Sequence, residues 1–176
     1  MRIYIGLGNP GDKYKNNRHN VGFQFVDFIL QNLKNKGFVI KSYEKFDSKI
    51  SEVILNDEKY LFVKPQIFMN NSGIAVKKIL DFYKEPVDNL NIIHDDLDIP
   101  FGNFKIQYGS GPKLHNGILS IEKHLKTNNF KRIRIGIDDR NPENNIDGET
   151  YVLSDFTMEE QTKLKQVFIK VEQEIV

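Results

Sequence analysis

Four stretches of this chain carry side chains of the types needed to activate a water molecule. The loop Gly8–Gly22 holds one imidazole (His19), one guanidinium (Arg18), one phenol (Tyr14) and four carboxamides, with Asn9 at its start. Met69-Asn70 and His115-Asn116 add a thioether, a second imidazole and two more carboxamides, and Asp95 ends an apolar run between them. A histidine with an ordinary pKa near ~6.5 can accept a proton at neutral pH, and a carboxylate on its other nitrogen fixes its tautomer. Carboxamides can position the water and donate to a developing oxyanion. Side chains at the carboxyl ends of neighbouring strands in an α/β sheet converge on one crevice. A crevice collecting His19, Asp95 and these carboxamides suits hydrolysis by an activated water. The chain has no cysteine and no G-x-S-x-G elbow, which disfavours an acyl-enzyme route.

Other chemistries fit less well. Gly6–Gly11 matches G-x-G-x-x-G directly after a strand. A dinucleotide site, however, needs the glycine turn to run straight into a helix. Pro10-Gly11-Asp12 makes a turn instead, and the next helix signal comes only at Asn20. His94, Asp95, Asp96 and Asp98 could suggest a metal, but adjacent strand residues point to opposite sides, and no metal is expected. Net charge is +1, unevenly distributed. Residues 101–140 carry 8 Lys and Arg against 3 Asp and Glu, and residues 141–176 carry 3 against 8. Lys105, Lys113, Lys123, Lys126, Lys131, Arg132 and Arg134 therefore form a candidate phosphate-facing patch.

The elements that must position these groups read as alternating strands and helices. Residues 2–7 form a buried strand, and Asn20 caps a helix with Phe25, Phe28, Ile29 and Leu33 inward and Gly37 as its stop. Residues 38–54 are β-like, and a turn at 56–59 leads into a second β run at 60–64. Ser72 is the expected cap of a helix reaching Tyr83. Short strands follow at 91–94 and 103–108, then a helix from His115, a strand at 132–137 and an irregular polar stretch at 138–150. Thr157 and Glu160 form a capping box that starts a last amphipathic helix. The pattern predicts an α/β fold: one domain spanning 1–176, with a twisted mixed sheet flanked by helices. Apolar residues make up 39% and charged residues 28%, as in a soluble globular protein. No signal-peptide profile or membrane-length apolar run is evident, so a cytoplasmic location is expected.

At these residues the sequence resembles the bacterial-type peptidyl-tRNA hydrolase family, from Ile3 to about Phe156. The resemblance rests on G-L-G-N-P-G with Tyr14 and R-H-N-x-G, then K-P-x-x-F-M-N-x-S-G, H-D-D-L-D-x-P-x-G, H-N-G, R-I-R-I-G-I and Y-V-L-S-D-F, in that order. It implies a peptidyl-tRNA hydrolase-like fold and cleavage of the ester between a peptide and the 3′-terminal ribose of tRNA. It also implies a monomer that needs no metal or cofactor. By the same resemblance His19 is the general base, Asp95 orients it, and Asn9 places His19 and the substrate. Asn70 and Asn116 hold peptide backbone and water, while Tyr14, Met69 and His115 line the cleft. Lys105 and Arg134 match basic positions that grip tRNA phosphates. Gln107 replaces a commonly basic residue, with Lys113 as the candidate substitute. Lys113-Leu114 stands where the family usually has Gly-Gly, Asn17 where it has Thr, and 138–149 departs from the usual pattern. The alternative is a non-catalytic RNA-binding relative of the same fold.

Overall fold

The first strand, β1 (Arg2–Gly6), is apolar on both faces. Ile3 and Ile5 pack to one side and Tyr4 to the other, as expected of a strand covered on both sides. The computed structural model describes residues 1–176 apart from the side chain of Asn144. It places β1 at the middle of a seven-stranded sheet in the order β2-β3-β4-β1-β5-β7-β6. The other strands are β2 (Lys41–Lys45), β3 (Ser48–Leu55), β4 (Glu58–Pro65), β5 (Leu90–Pro100), β6 (Phe104–Tyr108) and β7 (Lys131–Asp138). β4, β1, β5 and β7 run parallel to one another, and β2, β3 and β6 pair antiparallel to their neighbours. This is the predicted single α/β domain with a mixed sheet.

Two helical layers sandwich the sheet. α1 (Val21–Asn35) and α5 (Met158–Ile175) cover one face, where the Phe25 and Phe168 rings meet edge to face at 5.3 Å. α2 (Ser72–Tyr83) and α3 (Asn116–Leu125) cover the other through Val76, Ile79, Ile118 and Ile121. A short helix, α4 (Gly148–Val152), lies between β7 and α5. Among the described residues no helix is long and apolar enough to cross a membrane.

Local chemistry explains most boundaries. The Thr157 capping box forms in full, with Thr157 N donating to Glu160 at 2.7 Å and Glu160 N donating to Thr157 Oγ1 at 3.2 Å. Gly37, at φ 87°, ends α1 by donating to Lys34 O while Phe38 N returns to Leu33 O. The β-like run at 38–54 is two strands, split by a turn at Phe46-Asp47 with φ 57° and 52°. Phe is an unusual residue for that conformation, so the turn carried no sequence signal. β5 continues past His94 to Pro100, and α4 begins within the stretch read as irregular and runs past its end. Ser72 does not cap α2, since Asn71 precedes the helix and Ser72 Oγ donates to Met69 O at 2.8 Å.

The topology aims two loops and the middle of β5 at the same edge, where β5 outruns β1. The loops after β1 and β4 leave the carboxyl ends of parallel strands, and β5 lies beside β1 with Ile93 opposite Gly6. β6 is antiparallel to β7 and ends at the opposite edge, so His115 is not delivered by a strand end. Residues 109–114 return along the sheet over β7 and deliver it instead.

Candidate active site

The first loop is anchored before it presents anything. Gly11, at φ 106°, turns the chain away from β1. Arg18 is buried and reaches α5, donating to both oxygens of Glu160 at 2.6 and 2.7 Å, to Ser154 Oγ at 2.8 Å and to Asp155 O at 2.7 Å. Its guanidinium also lies over the Tyr151 ring, 4.3 Å from the centroid. The Asn17 amide donates to Leu153 O. One face of the loop is thereby fixed to the segment before α5. The glycines of Gly6 and Gly22 act by size, because a β-carbon on Gly22 would collide with backbone atoms of Leu7 and Ile93.

Asn20 then fixes Asn9. It precedes α1 without capping it, because its side chain is spent elsewhere. Asn20 Oδ1 accepts from Asn9 N and Asn20 Nδ2 donates to Asn9 O, both at 2.9 Å. Asn9 Oδ1 accepts from Met69 N at 2.9 Å, which settles the orientation of the carboxamide. Its Nδ2 makes no hydrogen bond among the described residues and is the donor Asn9 offers to the cleft it lines.

Asp95 organises the rest. His19 Nδ1 lies 2.9 and 3.0 Å from its two carboxylate oxygens, and His115 Nε2 lies 2.9 Å from Oδ1. His115 Nδ1 accepts from Ile118 N at 3.3 Å, so its proton sits on Nε2 and points at Asp95. A carboxylate accepts from both imidazoles, so His19 carries its proton on Nδ1 and exposes an unprotonated Nε2. Burial pushes His19 down, but the charge and hydrogen bond of Asp95 outweigh it and raise the imidazole above 6.5. Burial pushes Asp95 up, and the adjacent His19 and His115 pull it well below the usual carboxylate range. His94 is fully buried with Nδ1 donating to Asp95 O at 2.7 Å, and burial holds it neutral, well below 6.5.

His19, Asp95 and His115 place possible ligand atoms within 4.8 Å of one another and could hold a metal ion. Those same atoms hydrogen-bond to each other, so a metal would have to displace the proton that defines His19. The other carboxylates near Asp95 have separate partners. Asp96 takes Arg134 Nε at 2.6 Å, and Asp98 takes Lys113 N at 2.8 Å.

These groups open on a cleft of about 450 Å³. Asn9, Tyr14, His19, Met69, Asn70, Asp95, His115 and Asn116 all line it, so the residues singled out for water chemistry converge as expected. Asn70 and Asn116 are exposed and their amides are uncommitted among the described residues. The expectation for Arg134 is corrected. Strand alternation puts Arg132 and Arg134 opposite Ile133, but residues 109–114 cover that face. Arg134 is only 7% exposed and paired with Asp96; Arg132 is 2% exposed, paired with Glu122 and bonded to Gly111 O. Neither is an exposed phosphate contact. Lys105, Lys113, Lys123 and Lys126 are exposed and form no ion pair among the described residues, but none lines the cleft. Sequence reasoning missed Asn20 and Arg18 as positioning groups. It also missed the wall of Leu97, Val152, Leu153 and Glu149, although Leu97 falls in H-D-D-L-D and Val152 and Leu153 in Y-V-L-S-D-F.

A mixed α/β sheet that holds a carboxylate-paired histidine among free carboxamides is an arrangement suited to a hydrolase. Comparison with known proteins narrows this. The chain belongs to the peptidyl-tRNA hydrolase family, whose model matches residues 3–176. It is 41% identical over 167 residues to the peptidyl-tRNA hydrolase of Aliarcobacter butzleri, covering 95% of this chain and 86% of that one. It is 42% identical over 168 residues to that of Mycoplasma capricolum, covering 96% and 87%. Its fold is similar to the crystal structure of peptidyl-tRNA hydrolase from Acinetobacter baumannii, with a TM-score of 0.81, 30% identity and coverage of 96% and 83%.

Arg134→Ala strands a fully buried Asp96 carboxylate and is expected to cost about 3–5 kcal/mol of stability. Urea denaturation measures the loss; a cost below about 1 kcal/mol would show that Asp96 does not depend on the pair.

Proposed function

We propose that this chain hydrolyses the ester joining a peptide to the 3′-terminal ribose of tRNA, with His19 as general base. The observation that carries the reading is the His19–Asp95 pair at the head of a cleft edged by uncommitted carboxamides, in a chain of this family. A water bound to His19 Nε2 gives up a proton as its oxygen attacks the ester carbonyl carbon. Asn9 Nδ2 donates to the carbonyl oxygen as it becomes an oxyanion. Asp95 holds the imidazolium that forms. Collapse of the tetrahedral intermediate breaks the bond to the ribose 3′ oxygen, which takes the proton back from His19, and free peptide and tRNA leave. Asn70 and Asn116 hold the peptide backbone and water, Tyr14, Met69 and His115 shape the cleft, and His115 also braces Asp95. The site draws on residues from Asn9 to Leu153, which supports a single functional domain, and we read the chain as a monomer acting in the cytoplasm. The tRNA body is held by Lys105 and Lys113, which lie outside the cleft and are free to meet phosphates. Nothing in the site favours the alternative, non-catalytic RNA-binding reading, which leaves the His19–Asp95 geometry without a use.

The base must be neutral to act, and Asp95 raises its pKa, so kcat/KM is expected to fall on the acid side with a midpoint above 6.5. Asp95→Asn removes the raising charge, so the midpoint moves to lower pH while the rate drops. His19→Ala should lose ~10²–10⁴ in turnover and still bind tRNA. A pH–rate profile on labelled peptidyl-tRNA measures all three, and near-normal turnover by His19→Ala would refute the assignment.

Lys105→Ala and Lys113→Ala should each weaken tRNA binding and lower its salt dependence by roughly one phosphate contact. Titrations of tRNA at several salt concentrations read this directly, and an unchanged slope would make the patch mere solvated surface.

A further inference from the structure

The cleft lining contains no Lys or Arg. Phosphates are therefore held elsewhere, and the cleft suits the peptidyl part of a substrate. One wall of it is apolar and open to water. Leu114 is 74% exposed and Leu153 43% exposed, and both line the cleft beside Leu97 and Val152. Apolar side chains held open to solvent at a site mouth gain stability when a ligand covers them.

The wall is also anchored. Leu114 sits on the return segment, which side chains fasten to the sheet at successive points. Gln107 donates to Ser110 O at 2.8 Å, Arg132 to Gly111 O, and Lys113 N to Asp98 at 2.8 Å. Leu97 is backed by Gly148, where a β-carbon would come within 3.0 Å of Leu97 Cδ1. Glu149 lines the same rim, and its carboxylate has no hydrogen bond or ion pair among the described residues.

We propose that Leu114, with Leu97, Val152 and Leu153, forms an apolar subsite that selects the side chain of the amino acid esterified to tRNA. This rests on the peptidyl-tRNA hydrolase reading above. The subsite belongs to the esterified residue because Leu114 directly precedes His115, which touches Asp95, and Cα atoms of adjacent residues lie only ~3.8 Å apart. A side chain beside the attacked carbonyl thus reaches Leu114. Leucine-like side chains gain by burial there, glycine gains nothing, and acidic side chains meet Glu149 with no compensating cation.

The test uses the full chain and one tRNA sequence carrying N-acetyl-leucine, N-acetylglycine or N-acetyl-aspartate. The wild type is expected to favour leucine over glycine in kcat/KM by roughly 5- to 10-fold, with aspartate lowest. Leu114→Gly should bring the leucine-to-glycine ratio close to one, and Leu114→Ala should give an intermediate ratio, which separates lost apolar contact from glycine-induced loosening. Leu119→Ala, at an exposed apolar residue of α3 outside the cleft, should keep the wild-type ratio. A wild-type ratio near one, or a ratio that survives Leu114→Gly, would overturn the subsite. Failure of the wild type to hydrolyse any of the three would instead overturn the activity on which it rests.

Discussion

One buried carboxylate with two imidazoles on it sets the terms for the rest of this structure. Asp95 is 2% exposed, and burying an ionised carboxylate is expensive unless donors surround it. His19 and His115 supply them, and each is fixed from outside the trio. His115 is pinned by the first turn of α3, through Ile118 N. His19 is carried on a loop anchored by Arg18 to Glu160 at the start of α5. A nitrogen that would otherwise choose between two tautomers has one choice, and the lone pair on Nε2 follows. The tautomer that the proposed base requires is therefore set by the fold.

This dependence explains why residues outside the cleft are buried and hydrogen-bonded across the fold. Arg18 draws four acceptor atoms from three residues to keep the first loop in place. Asn20 uses both ends of its amide on the backbone of Asn9, and Met69 N then turns the Asn9 side chain the right way. Arg132 fastens the return segment that brings His115 and Leu114 to the cleft by donating to Gly111 O, and the Arg134 guanidinium packs under Gly111. Most of these links join parts of the chain that are distant in sequence, so the site depends on the tertiary fold.

Legibility in the sequence followed the range of the interactions. The Thr157 capping box, the Gly37 stop and the two-sided burial of β1 are local and were readable from residue types. The convergence of Asn9, His19 and Asn70 was readable because the parallel strands β1 and β4 end at a common edge, whereas Asp95 lies in the middle of β5 and Asn116 is brought by the return segment. The roles of Arg132 and Arg134 were not, since alternation says which residues share a face and nothing about what covers it. The segment over them departs from the family pattern at Lys113-Leu114, where no local rule describes its path. The sharing of Asp95 between two histidines was equally hidden, because it requires residues 76 and 20 positions away to meet at one carboxylate. Phe46 in a left-handed turn is a case where hairpin geometry overrode residue preference.

The protonation pattern of the trio can be observed directly by nitrogen-15 NMR of the histidine rings in the resting protein above the pKa of His19. His19 is expected to be neutral with its proton on Nδ1, and His115 to carry its proton on Nε2, both moving toward Asp95. Substitution of Asp95 by Asn should abolish the His19 preference. A His19 protonated on Nε2 in the wild-type protein would contradict the assignment, because that nitrogen would then have no lone pair with which to take a proton from water.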